Sequence, residues 1–107
     1  MEVYLYYKPR SNLFGFIDDI DDKKMIFVNI ARHNNKKDLL TTIVHELIHI
    51  YYNTDDEEFV YAKEEQIINK PLQKEDVVIL EHAKKLLNDI LKGYEKLTIV
   101  LNNENEN

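Results

Sequence analysis

Hydrophobic and polar positions alternate with a short period through the first thirty residues and with a helical period after that. Glu2 to Tyr7 (Glu-Val-Tyr-Leu-Tyr-Tyr) is β-branched and aromatic and predicts a strand. Lys8 to Asn12, with Pro9 inside it, predicts a turn. Leu13 to Ile17 predicts a second short strand, and Asp18 to Lys24 a solvated acidic hairpin turn. Met25 to Ala31 predicts a third strand, whose exposed edge could pair with an extended peptide. Arg32 to Lys37 is a polar loop.

From Leu40 the period lengthens. Leu40, Ile43, Val44, Leu47, Ile50 and Tyr51 share one arc of a helical wheel, while Asp38, Thr41, Thr42, His45, Glu46, His49 and Asn53 share the other. Thr54-Asp55-Asp56-Glu57 has the form of a capping box and predicts a second helix reaching about Asn69. The connection is short, so the two helices are expected to run antiparallel. Pro71 breaks the chain. Glu75 to Gly93 predicts a third helix with Leu80, Ala83, Leu87, Ile90, Leu91 and Tyr94 on one stripe and Gly93 as its cap. Leu97 to Leu101 is a short apolar end piece, and residues 102–107 read as a solvated, disordered tail. The fold class expected is α+β: a small three-stranded sheet packed on a His-Glu-bearing helix, a glutamate-bearing helix and a C-terminal helix, forming one domain over residues 1–101.

Composition narrows the chemistry. The chain has 107 residues, 44% of them hydrophobic, enough for one small core. It has no Cys, so any metal must be held by histidines and carboxylates. A net charge of −6 argues against nucleic acid as a partner. No apolar run approaches the roughly 18 residues of a membrane span, and the first residues lack the features of a signal peptide. The expected location is the cytoplasm.

Against this background His45-Glu46-Leu47-Ile48-His49 stands out. On a helix, residues four apart sit one turn above each other, so both imidazoles can face one ion. Two histidines, one further ligand and an open position describe a catalytic zinc site. Glu46 lies about 100° round from His45, close enough to reach a water on the metal. Between Leu39 and Thr54 it is the one charged side chain, whereas an ordinary solvated face would carry Lys and Glu pairs. The third ligand is expected at the start of the second helix, at Glu57 or Glu58. Glu57 lies in the middle of the inner face, but the capping box would use it, and both stay open. His33, His82, Glu64 and Glu65 are more distant candidates. A zinc ion so held would activate water, with Glu46 as general base, for attack on a peptide carbonyl. Tyr51, Tyr52 and Tyr61 are candidates for sharing the negative charge that develops.

Three strands, the His45–His49 helix and a glutamate-bearing helix resemble the core of the gluzincin metallopeptidases. The shortness of the chain makes it similar to the minigluzincins in particular. The resemblance implies a soluble zinc peptidase acting on peptide or protein substrates, with a Glu of the second helix, Glu57 or Glu58, as third ligand. It also implies latency, the C-terminal segment blocking the cleft. Many gluzincins carry an Asp four residues after the ligand Glu to orient a zinc histidine; that position here is Tyr61 after Glu57, or Ala62 after Glu58. The segment from about Leu72 to Leu101 is accordingly expected to restrain activity, with Pro71 and Gln73 to Asp76 as a hinge that permits homo-oligomerisation through the C-terminal helix. Other readings compete. The third helix could simply complete the core, and the protein could be a non-catalytic, antitoxin-like regulatory module with a structural or vestigial zinc site, or a zinc hydrolase of something other than peptides.

Overall fold

In the computed structural model, residues 2–105 are described, with side chains for residues 3–93. Three strands, β1 (Glu2–Tyr6), β2 (Gly15–Ile20) and β3 (Lys23–Asn29), precede three helices, α1 (Lys36–Tyr51), α2 (Glu57–Asn69) and α3 (Val77–Asn105). The architecture is α+β, as the period change predicts. Val3 and Leu5 of β1, Ile17 of β2 and Ile26 and Val28 of β3 turn one face of the sheet to the helices. The other face carries a row of stacked rings, with Phe16 and Phe27 4.8 Å apart and Tyr4 5.6 Å from Phe27. Both sets follow from the two-residue side-chain period of a strand.

The sheet order is β1-β3-β2, with β1 parallel and β2 antiparallel to β3. The strand expected to be an exposed edge, β3, is therefore the central one, and β2 is an edge. Hydropathy marks the strands, but neighbour order is set by how far the chain must travel between them. β2 and β3 are consecutive and join through a two-residue turn in which Asp21 and Asp22 both take positive φ (52° and 63°). That is the turn whose twist matches a hairpin, and aspartate tolerates it. Gly15 opens β2 where no side chain fits: a Cβ there would lie 2.6 Å from the Phe27 carbonyl oxygen and 3.1 Å from the Thr42 methyl.

Asn29, fully buried at the end of β3, ties down the loop between β1 and β2. Its Oδ1 accepts from the backbone N–H of Lys8 and Ala31, and its Nδ2 donates to the carbonyls of Lys8 and Leu13. Its own N–H donates to the Phe14 carbonyl at 2.8 Å. A buried amide in the middle of a domain is tolerable only when its groups are satisfied in this way.

The core is built round α1, whose Ile43, Val44, Leu47 and Ile48 are wholly inaccessible to solvent. Val60 and Ile67 reach it from α2, and Ile79, Ala83, Leu86, Leu87 and Ile90 from α3. Burial of each such side chain contributes about 1.5–3 kcal/mol. Of the expected apolar stripe of α3, Ala83, Leu87 and Ile90 are thus buried within the chain's own fold, Leu80 and Leu91 are partly buried against it, and the Tyr94 side chain lies outside the described ones. The helix also continues through Gly93, the expected cap, to Asn105. One helical glycine costs only about 1 kcal/mol, and good helix formers flank it on both sides. The expected tail is helical in backbone as far as Asn105, and its last two residues, 106 and 107, lie outside the described ones.

The polar run read as a hinge is instead anchored at Asp76. This side chain is fully buried, accepts from the Tyr52 hydroxyl at 2.6 Å and pairs with Lys63 Nζ at 3.0 Å. One carboxylate so joins the end of α1, the middle of α2 and the start of α3. The bond to Asp76 raises the Tyr52 hydroxyl above its ordinary value, with burial adding to it. The same carboxylate raises the Lys63 ammonium more than burial lowers it. Asp76→Ala should cost about 3 kcal/mol in urea unfolding, the low end for breaking a buried pair because Lys63 is partly solvated. Tyr52 and Lys63 both hold their protons more tightly folded than unfolded. Stability present below about pH 10 should then fall as pH rises through the raised values. Tyr52→Phe should flatten that alkaline loss of the urea midpoint.

Candidate metal centre

α1 starts at Asn35, whose side chain accepts from the Asp38 N–H, and ends in a paired terminator. Asn53 takes a left-handed φ of 48°, its N–H donates to the Ile50 carbonyl, and the Thr54 N–H donates to the His49 carbonyl. This is the reverse-turn cap that asparagine can supply in place of glycine. It also sets a side chain. The Thr54 carbonyl, turned back over the last helical turn, accepts Nδ1–H of His49 at 2.7 Å. The other nitrogen, Nε2, is left facing Glu57 Oε1 at 2.7 Å.

His45, one turn earlier, is held in a parallel manner. Its Nδ1 meets Glu64 Oε1 at 3.3 Å, and its Nε2 faces Glu57 Oε2 at 3.2 Å. The Tyr61 ring packs on it with centroids 4.8 Å apart. Both imidazoles thereby direct Nε2 at the two oxygens of one carboxylate. One ligand atom from each of His45, His49 and Glu57 lies within 4.8 Å of the others, a group that could hold a metal ion. Tetrahedral ligands at about 2.0–2.1 Å from zinc stand about 3.4 Å apart, so the set needs little closure.

The capping residue places Glu57, and not Glu58, beside the histidines. The N-cap of α2 is Asp56, whose side chain accepts from the Phe59 N–H, while Thr54 Oγ1 accepts from the Asp56 N–H. The capping box expected from Thr54 is displaced by two residues, because the terminator of α1 uses the Thr54 backbone. Glu57 becomes the first residue of α2, free of capping duty and turned to the histidines. Glu58 is exposed and joins none of these contacts.

Glu46 is 8% exposed and points to the same cleft. Burial pushes its carboxyl above the usual range, against the pull of His45 and His49 and with the help of Glu57. For His45, burial is the largest single influence and lowers the ring's basicity. The bond to Glu64 and the charges of Glu46, Glu64 and Glu57 together outweigh it and leave the ring raised. The two shifts differ in origin, burial for Glu46 and the surrounding carboxylates for His45, and three carboxylates about two imidazoles are a setting that favours an added cation.

Two cavities flank the cluster and share Gly15, Glu46 and Glu57. One, about 430 Å³, runs past His49 along Phe16 and Ile17 of β2 to Asn53 and Asp55. The other, about 590 Å³, runs past His45 between Leu13 and Phe14 on one side and Tyr61 and Glu64 on the other. No described residue from Leu72 to Gly93 lines either cavity.

The remaining candidates have other duties. His33 bridges the Asn29 carbonyl and the Thr42 hydroxyl, each at 2.6 Å. His82 Nδ1 is hydrogen-bonded with the Tyr51 hydroxyl at 2.9 Å, Tyr52 is held by Asp76, and Glu65 accepts from Asn69. Of the tyrosines considered for charge sharing, Tyr61 alone lines the cleft. Its ring covers His45, and the carboxylate on His45 Nδ1 belongs to Glu64, three residues further along. Sequence reasoning missed the Thr54 carbonyl, although the asparagine after the helix is a recognisable terminator signal.

Comparison with protein-family models, with curated proteins and with solved structures finds no match to this chain. Among the described residues no helix is long and apolar enough to cross a membrane. The geometry of the site yields a direct check. Glu57→Ala should reduce binding of a divalent metal by orders of magnitude in competition with a chromogenic chelator, and Glu58→Ala should leave it unchanged.

Proposed function

We propose that this protein is a zinc-dependent metallopeptidase, in keeping with its resemblance to the minigluzincins. The observation that carries the reading is the convergence of His45 Nε2 and His49 Nε2 on Glu57 beside a buried Glu46. Two imidazole nitrogens and one carboxylate oxygen without a thiolate suit zinc with one position left for water. A structural site would be closed by a fourth protein ligand and would have no use for Glu46. The bound ion would supply Lewis acidity and acidify its water.

The chain's own groups account for the remainder. Glu46 takes the proton of the attacking water and returns it to the leaving amine. In the metal-free site burial raises its proton affinity above that of a solvated glutamate. Tyr61, half-exposed at the wall of the cleft, is available to share negative charge on the attacked carbonyl. The free edge of β2 runs beside the cluster, with Gly15, Phe16 and Ile17 in the cavity wall. An extended peptide added to that edge would pass its carbonyls over the metal position. Latency, if exerted by the segment from Leu72 onward, does not act through a described side chain in the cleft.

Glu46→Gln should retain zinc stoichiometry, measured by atomic emission on the purified protein. Hydrolysis of a quenched fluorescent peptide library should fall by about 10²–10⁴-fold. A variant with parental activity would remove Glu46 as the base, and a parent that binds zinc without hydrolysing any peptide would favour the regulatory reading.

A further inference from the structure

His45 and His49 are oriented by unlike partners. His49 gives its Nδ1–H to a backbone carbonyl, which no substitution removes. His45 sets its Nδ1 3.3 Å from Oε1 of the Glu64 side chain, two helical turns beyond Glu57. Glu64 is 19% exposed at its side chain and His45 13%, so water competes weakly for this contact. Glu64 meets the ring at the edge away from Glu57, and the Tyr61 ring packs against the same imidazole. A neutral imidazole has one N–H. Directing it at Glu64 selects the tautomer that leaves Nε2 unprotonated and able to act as a metal ligand. A carboxylate acceptor also enriches the ring in electron density, and makes it a better ligand than a carbonyl acceptor would.

We propose that Glu64 is a positioning residue for the metal centre, holding His45 in its binding tautomer and rotamer without touching the ion. The proposal rests on the metal-centre reading above and adds a residue to it. It also explains how the site can do with Tyr61 where a short carboxylate would be expected. Tyr61 fixes the ring plane from the side, and the longer glutamate reaches Nδ1 from one turn further along.

The test is zinc affinity by chelator competition for the full chain, Glu64→Gln, Glu64→Ala and, as a control, Glu65→Gln. The absorption spectrum of each cobalt-loaded protein is recorded alongside. Glu64→Ala should bind zinc about 10–100-fold more weakly. Glu64→Gln, which keeps a neutral acceptor, should fall between it and the parent, and Glu65→Gln should match the parent. The cobalt ligand-field bands should shift in the Glu64 variants and not in the control. A merely structural Glu64 would lower the unfolding temperature of the metal-free protein and leave affinity and bands alone, which overturns the proposal. If Glu64→Ala does not fold, the Glu64→Gln result decides by itself. A parent that binds no zinc overturns the metal centre, and Glu64's role with it. A parent that binds zinc with Glu64 variants of equal affinity overturns Glu64's role alone.

Discussion

The rotation of α1 about its own axis is the constraint on which the rest depends. Ile43, Val44, Leu47 and Ile48 are all sealed from solvent, so the helix is gripped along one continuous arc of about 140°. A close-packed interior does not allow such a helix to turn by a fraction of a residue without opening voids. His45, Glu46 and His49 occupy the remaining arc. Their directions are therefore fixed by the apolar residues between them. The core and the site are two readings of one helix, and a change that loosens the first will misdirect the second.

The ends of the helices refine what that rotation sets. The left-handed Asn53 lets the chain reverse in a few residues, and its successor's carbonyl orients His49. The same reversal delivers Asp56 as the cap of α2 and Glu57 as its first residue. A carboxylate at that position is favoured by the helix's exposed N–H groups. Three elements of local backbone chemistry, a terminator, a cap and a first turn, thereby converge on one pair of imidazoles.

Much of this was legible in the sequence, and what was not has a common cause. The strands, the three helices and the His45–Glu46–His49 motif show in local period and spacing, because each depends on neighbours within a few residues. The order of the sheet does not. Nothing near Met25–Ala31 says that β1 will return to lie beside it, so a central strand reads as an edge. Asn29 reads only as a polar residue within a strand and Asp76 as part of a hinge, yet each is buried among partners far along the chain. The choice between Glu57 and Glu58 turned on which residue caps α2, a difference of two positions that propensity does not resolve. Glu64 could be named as a nearby acid, but its pairing with His45 needs the antiparallel return of α2 in three dimensions.

Gly15 has a last consequence. The two lobes of the cleft meet at this residue, and the space where its side chain would stand is taken by the Phe27 carbonyl and the Thr42 methyl. At Gly15 the floor of the junction is therefore main chain, with the Glu46 and Glu57 carboxylates beside it. On the proposed peptidase reading, a chain lying across Gly15 would meet backbone groups there, which register an extended conformation and are indifferent to the residue that carries it. Discrimination between one sequence and another would then fall to either side, to the Leu13, Phe14 and Tyr61 wall or to the Ile17 and Ile50 wall. On that reading the centre of the cleft would register conformation and its flanks identity.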